Sequence, residues 1–502
     1  MFSDLGIIDA IVLVGLLLGS IVVGIRSGKG TLDADAYLLG GRSLPWWAIL
    51  GSIVATETST ATVLSIPGEA FGGSGMKWLQ LALGYIVGRG LVVVVFLPRY
   101  FHGSLFTAYE VLEKRFGTKT RRASSFLFLV TRNLSDGLRL FLAGIVVQQL
   151  LGWSFALSVI AMGGITITYT VIGGLRSVVW NDCIQFVIYT LGGLAAVFII
   201  ADQVPGQWDE VWTFARDSGK LNPLNFHFQL SDPYTFWAGL FGGAVLTIGT
   251  HGTDHMMVQR YLSARSQKDA AKAVFCSGLV VFLQFALFLF IGIELACFYS
   301  QGDHHAPKAL DKIFVHFIVN YFPANIGLIG LMLAAVLSAA MSTLSSSLNA
   351  SASAFLNDFW LPLSRTKPDG AGQLKISKRL TVVFGILQIG IAICATSLQQ
   401  TVVSNALSIA GFSAGILLGV FSLGVISRRA GQLSALTGAA AALAVLSIVH
   451  FGPMYITWLA PWKVAWPWLA LIGSSTTFAV GETIAFLVPQ RVPVSTMQKA
   501  EK

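Results

Sequence analysis

Two stretches of this sequence carry oxygen ligands where a membrane-spanning segment would normally carry hydrocarbon. In "LAAVLSAAMSTLSSSLNASASAF", Ser342, Ser345 and Ser346 stand at i, i+3 and i+4, so their hydroxyls share one helix face. Ala339 lies one turn earlier on the same stripe, and Thr343 lies beside it. The second stretch, "ATETSTATVLSIPGEAF" (55–71), holds six hydroxyl side chains, Glu57 and Pro67 inside a long apolar run. Hydroxyl and carbonyl oxygens are hard, neutral ligands, suited to an alkali cation rather than a soft transition metal. The bland account is close helix packing, because Ser and Thr are enriched where membrane helices meet. Five small or hydroxyl positions facing a second hydroxyl-rich segment favour the ion reading.

Other charged groups fall inside apolar spans. Asp182, in "GGLRSVVWNDCIQFVIY", is either an ion ligand or a helix cap formed with Asn181. Arg132, Asp136 and Arg139 are spaced for mutual pairing, with Asp136 at i+4 from the first and i−3 from the last. One self-neutralising network containing Glu57 and these three residues, or a solute contact by Glu57 or Arg139, are readings of equal weight. Glu294 and Glu482 are isolated and read as structural or interfacial. His251, Asp254 and His255 cluster in "GTHGTDHMMVQRY" without a C-x-x-C or H-E-x-x-H pattern, which argues against a metal site. "GGSG" (72–75) matches the G-x-S-G of intramembrane serine proteases. It sits at an outer turn that favours Gly and Ser for backbone reasons, and no histidine is placed to activate Ser74.

The elements that must position these residues are membrane helices. The chain has 502 residues, 54% hydrophobic and 11% charged, with mean hydropathy +0.71. A soluble domain carries about a quarter charged residues, so a polytopic membrane protein is expected. Apolar windows place about thirteen spans, near 6–25, 46–72, 76–98, 123–150, 154–172, 180–202, 234–258, 273–299, 324–357, 380–397, 401–427, 433–451 and 466–489. The run 6–25 lacks a preceding basic residue and a cleavage site, so it reads as a retained helix rather than a signal peptide. Segments 203–233 and 300–323 have room for small surface helices.

Of the 33 basic residues, 24 fall on one set of alternate loops and six on the other. The positive-inside rule then sets the N-terminus outside and the C-terminus in the cytoplasm, in a plasma membrane of bacterial inner-membrane type. The basic residues are spread over many loops, which excludes a nucleic-acid groove despite the net charge of +9. Four cysteines in apolar spans show no ligand or redox spacing. The second, ninth and eleventh spans are expected to be interrupted. Broken helices survive at membrane depth only where protein or a cavity satisfies the freed backbone, and they mark a transporter's midplane site.

Together these residues resemble the sodium/solute symporter family over about 5–490. The resemblance is carried by "AYLLGGRSLPWWA" (37–49), "TVLSIPGEAF" (62–71), "TAYEVLEKRFG" (107–117), "GGLRSVVWNDCIQ" (173–185), "VQRYL" (258–262) and "SSSLNASASAFLNDF" (345–359). It implies an all-α, leucine-transporter-type fold with an inverted five-helix repeat. An extra helix (6–25) would precede repeats at 46–202 and 234–427, and two helices (433–489) would follow. The resemblance further implies a main sodium site at Ala55, Thr58, Ala339, Ser342 and Thr343. It implies a second site at Asp182, Ser342, Ser345 and Ser346, hence one or two Na+. Glu57, Ser59, Thr62, Ser135 and Arg139 would face the solute. Ser135 stands where sialic-acid carriers place an arginine, with Arg139 one turn on, which argues against sialic acid. Glu57 suggests an amine or a polyol, and "TVLSIPGEAF" suggests the anion-carrying branch. The expected function is sodium-coupled import of a small polar organic solute by alternating access, with no enzymatic step and no obligate protein partner evident. The rivals are proton coupling through Glu57 or Asp182, and a membrane sensor that binds solute without moving it.

Overall fold

A computed structural model describes residues 6–27, 33–101, 105–301, 304–365, 368–395, 402–459 and 461–488. The described residues are mostly helical, with irregular connections such as 222–229, and the one β pairing among them is an isolated bridge between Leu44 and Ala264. Nine helical runs among the described residues are long and apolar enough to cross a membrane. That number is smaller than the count of sequence windows for local reasons. The spans near 46–72 and 234–258 are broken into short helices, the Phe155–Gln203 run joins two windows, and the helix Thr118–Leu151, which carries Arg132, Asp136 and Arg139, is not among the nine.

The first helix, α1 (Ile7–Ser27), turns apolar side chains such as Ile7, Ile11 and Leu18 outward. It keeps Asp9 and Ser20 inside. Asp9 is fully buried and accepts the backbone N–H of Asn325 at 2.6 Å, just before a later helix begins. Carboxylates are favourable at helix N-termini, so this residue fastens α1 to the bundle.

The second span is interrupted where the hydroxyls crowd. Helix α2 (Trp46–Glu57) ends with the Thr58 N–H on the Val54 carbonyl at 2.9 Å. Thr58 is extended (φ −79°, ψ 94°), and α3 (Thr60–Glu69) starts from Ser59. The following span contains α4 (Leu79–Leu91). Helix α5 (Thr118–Leu151) carries the Arg132–Asp136–Arg139 series.

The run α6 (Phe155–Gln203) is interrupted at Gly174, with φ 57° and ψ −156°. A Cβ there would lie 2.4 Å from the Tyr37 carbonyl oxygen, so both space and backbone angle demand glycine. Asp182 lies two turns beyond that interruption. It is interior to the helix and fully buried, so it does not cap the helix start.

Helix α7 (Gln207–Asp217) occupies the long connection 203–233, one of the two segments expected to hold small surface helices. The seventh span is also broken. Helix α8 (Gly243–Gly252) ends at Thr253, and α9 (His255–Leu262) restarts with Asp254 as its N-cap, Oδ1 accepting the Met256 N–H at 2.8 Å. Helix α10 (Gln267–Ser300) follows, then the short helix α11 (Ile313–Tyr321).

The ninth span corrects the expectation. Helix α12 (Leu328–Phe355) is continuous and almost wholly buried. Its small residues serve as contact surface for neighbours on every side rather than as a break. The eleventh span behaves likewise. Helix α14 (Val402–Ile426) follows α13 (Gly370–Cys394) and runs without interruption. Its Gly415 lets the backbone of α16 (Pro467–Leu487) approach, a Cβ there falling 2.9 Å from the Ala470 carbonyl oxygen. Helix α15 (Gln432–Tyr455) completes the bundle.

Candidate functional site

The interruption of α2 faces the middle of α12. The α2 hydrogen-bond ladder stops at Val54, and the next backbone bonds start from the Ser59 carbonyl to Thr62 and Val63. Between them, the Thr56 carbonyl accepts the Thr343 hydroxyl at 3.1 Å. Thr343 also donates to the Ala339 carbonyl at 3.4 Å, so one hydroxyl ties the α12 stripe to the broken turn. Ala55, Thr58, Ala339, Ser342 and Thr343 are all buried. The Thr58 hydroxyl turns away, donating to Gln284 Oε1 on α10 at 2.6 Å. Ser59 and Thr62 are buried at the start of α3.

Asp182 sits at the meeting of α2, α6 and α12. Ser342 donates to its Oδ1 at 2.6 Å, and Ser52 to its Oδ2 at 2.6 Å. Thr56 donates to Oδ2 at 3.4 Å and shares a 3.1 Å contact with Ser346. Ser345 points elsewhere, donating to the Ser342 carbonyl at 3.0 Å. The sequence reading gave no role to the cation found here. Arg260 of α9, fully buried, brings Nη2 to 3.4 Å from Asp182 Oδ2. Its partners lie on three different segments, far apart in the chain, which is why local spacing does not reveal them.

Glu57 does not join the α5 charges. Its carboxylate is bound by Arg89 of α4, whose side chain is fully buried. Arg89 also donates to Ser277 at 2.8 Å and lies 3.2 Å from His251 Nε2. His251 Nδ1 meets the Tyr261 hydroxyl at 2.8 Å. The α5 charges form a separate chain. Arg139 donates to Asp136 at 2.8 Å, Arg132 lies 3.7 Å from Asp136, and Arg132 also binds Asp254 at the α8–α9 break. Ser135, Arg132, Gly249, Thr250, Asp254 and Ser413 line a small cavity between α5, α8 and α14. Of the solute-facing candidates, Ser135 borders this cavity, while Arg139 is committed to Asp136.

The remaining clusters resolve into local roles. His251, Asp254 and His255 diverge: the first joins the Glu57 network, the second caps α9, and the third lies 3.4 Å from the Ala108 N–H. No group of three metal-ligating side chains occurs among the described residues. Ser74 donates to the Glu69 carbonyl at 2.8 Å, a backbone role at the turn after α3.

A profile of the "Sodium:solute symporter family" matches residues 37–441. This chain belongs to the sodium:solute symporter family. It is 30% identical over 450 residues to the sodium-coupled monocarboxylate transporter 1 of Mus musculus, covering 88% of this chain and 73% of that one. It is 28% identical over 452 residues to the sodium/iodide cotransporter of Homo sapiens, covering 89% and 70%. Among solved structures, a substrate-bound, outward-open Na+-coupled sialic acid symporter superposes with a TM-score of 0.86 at 26% identity, covering 96% of this chain and 99% of that one. A nucleobase-cation-symport-1 transporter shares the fold alone, with a TM-score of 0.59 and 12% identity over 94% of this chain and 98% of that one.

The protein is therefore a multi-pass sodium-coupled symporter with the leucine-transporter-type inverted five-helix repeat. Its substrates are sodium and a small solute.

Proposed function

We propose that this symporter imports a small polar organic solute with one or two sodium ions by alternating access. The observation that carries the reading is the Thr343 hydroxyl on the Thr56 carbonyl, where the broken α2 meets α12. Ala55 and Thr58 carbonyls, the Ala339 carbonyl and the Ser342 and Thr343 hydroxyls form the main sodium site in this reading. They are uncharged hard oxygens, the donor set an alkali ion prefers. Asp182, Ser342, Ser345 and Ser346 form the second, with Ser345 reorienting to reach it. The breaks fall in the second and seventh spans, first members of two five-span halves, 46–202 and 234–427. That placement supports the inverted-repeat boundaries and a midplane site.

Glu57, Ser59, Thr62 and Ser135 face the solute. Because Arg89 neutralises Glu57, the carboxylate no longer argues for an amine. An organic carboxylate comes first in the order of test, in keeping with relatives named for monocarboxylates and iodide. The basic-residue bias places the N-terminus outside and the C-terminus in the cytoplasm of the plasma membrane. A tenfold sodium gradient supplies about 1.4 kcal/mol per ion, and a 100 mV potential about 2.3 kcal/mol more.

The test has two stages. Purified carrier is screened by thermal shift against carboxylates, sugars, polyols and amino acids, with and without sodium. Uptake of the best solute into proteoliposomes is then measured with sodium or choline outside. Sodium-dependent accumulation is expected. Uptake indifferent to choline replacement but abolished by a protonophore would establish proton coupling instead. Solute binding without counterflow of label would establish a sensor.

A further inference from the structure

The carboxylate assigned to a second sodium already holds a cation of the protein's own. Arg260 donates from Nε to Ser52 Oγ at 2.9 Å, from Nη2 to Thr56 Oγ1 at 2.5 Å and to Ser346 Oγ, and from Nη1 to the Met256 carbonyl at 2.6 Å. Its Nη2 lies 3.4 Å from Asp182 Oδ2. Two of the hydroxyls it holds, on Ser52 and Thr56, donate to the same carboxylate, and the third, on Ser346, belongs to one of the proposed sodium ligands. Arg260, Asp182, Ser52, Thr56, Ser342 and Ser346 are each at most 1% exposed.

The charge balance of this cluster is closed. Asp182 contributes one negative charge, Arg260 one positive charge, and the other partners are neutral hydroxyls or carbonyls. A sodium ion added with Arg260 in place would leave a buried net positive charge, with the guanidinium within a few ångströms of the ion. Such a like-charge contact in a dry interior is strongly unfavourable. The two cations are therefore antagonists for one carboxylate.

We propose that Arg260 is a tethered counter-cation that neutralises Asp182 in the sodium-free carrier and is displaced when a second sodium binds. The inference rests on the second-site reading above. It adds a consequence for the moving parts. Arg260 belongs to α9, the half of the seventh span that follows its break. Its bonds tie α9 to α2 through Ser52 and Thr56, and to α12 through Ser346. An ion that evicts the guanidinium removes all three ties at once, so occupancy of the site and release of α9 are one event. The same tie keeps Asp182 from being left as an unpaired buried charge when the sodium has gone.

The measurement is a sodium titration of the purified full-length carrier at constant ionic strength, choline replacing sodium. Tryptophan fluorescence is the readout, since Trp180 stands two residues from Asp182 and packs on Trp47 at 5.3 Å. Thermal midpoint serves as a second readout. Arg260→Gln is expected to reach half-saturation at a sodium concentration at least about tenfold lower, equivalent to about 1.4 kcal/mol. The double variant Asp182→Asn/Arg260→Gln is expected to lose that tight phase. An arginine that only pins helices would give the opposite or no shift, so a folded Arg260→Gln with an unchanged or weaker midpoint overturns the proposal. Should Arg260→Gln fail to fold, Arg260→Lys keeps the charge and loses the planar fork of donors. A sodium midpoint lowered about threefold is then expected, and an unchanged one overturns the proposal. If the unmodified carrier shows no sodium response in either readout, the sodium-site reading falls together with this one. A responsive carrier with an unmoved Arg260 variant sinks this one alone.

Discussion

Glu57 and Arg89 provide the sharpest test of the packing logic, because Glu57→Gln changes a charge and almost no volume. The Arg89 side chain is fully buried, and Glu57 is 19% exposed. In the variant, Arg89 keeps Ser277 and its contact with His251 but loses the one anionic partner it has among the described residues. Two unit charges at about 4 Å in a medium of effective dielectric near 20 attract by about 4 kcal/mol. Breaking one side of a buried pair costs about 3–5 kcal/mol, since the other charge stays behind without compensation. Partial exposure of Glu57 puts the expectation near the lower bound, about 3 kcal/mol.

With an unfolding entropy of about 2.1 cal/mol/K per residue, the chain as a whole would have about 1 kcal/mol/K, so Tm should fall by about 3 °C. The assay is thermal unfolding of the purified carrier in one detergent, run as a cycle with Arg89→Met and the double variant Glu57→Gln/Arg89→Met. Replacing both partners removes the stranded charge, so the double variant should be more stable than the sum of the singles predicts. A Glu57→Gln protein melting within about 1 °C of the parent, or strictly additive single changes, would refute the pairing as the reason Glu57 is tolerated at the break.

Three further outcomes follow from the same geometry. Thr343→Val keeps the side-chain shape and removes the oxygen that meets the Thr56 carbonyl; sodium half-saturation should rise at least about tenfold in a titration of thermal midpoints. Gly292→Val should abolish a monodisperse product in size-exclusion chromatography, because a Cβ there would fall 2.2 Å from the Pro67 carbonyl oxygen and drive α10 off α3. Gly15→Val, where nothing lies within 4 Å, is the matched control and should behave as the parent. Lys220→Met removes two 3.1 Å bonds, to the Ala70 and Phe71 carbonyls. About 1 kcal/mol of local stability should be lost, seen as faster amide exchange over 70–76 with no change around Asp182.

The site was legible in part because some of its physics is local. Six hydroxyls and a carboxylate in one span are incompatible with an uninterrupted lipid-facing helix, and α2 does break there. The same rule misread α12, where equally dense small residues fit an unbroken helix packed on all sides. Hydroxyl density alone cannot separate the two cases. A start signal can: "GTDHMM" places an Asp N-cap inside the seventh window, near its end, and Asp254 caps α9 in just that way. Spacing rules see only neighbours along one helix, so they leave Glu57 either in one network with the α5 charges or against the solute. Its partner Arg89 is 32 residues away on α4, and Asp182's partner Arg260 is 78 residues away on α9. Pairings of that kind are set by the bundle, and no periodicity encodes them.

Those two long-range networks are joined by adjacent residues. Arg260 reaches Asp182, Ser52, Thr56 and Ser346, while Tyr261 reaches His251, and through it Arg89 and Glu57. Consecutive helical residues point about 100° apart, so α9 presents one to Asp182 and its hydroxyls, the proposed second sodium site, and the next to the charges at the α2 break. A helix of eight residues is short enough to move as a rigid unit. Any displacement that pulls Arg260 from Asp182 must also shift the Tyr261 hydroxyl against His251. Cores pack as discrete arrangements rather than deforming continuously, so the two networks exchange partners together. With the ion and the solute bound at the proposed sites, coupling between them would need no chain of intermediates across the bundle, because both would bias one short element.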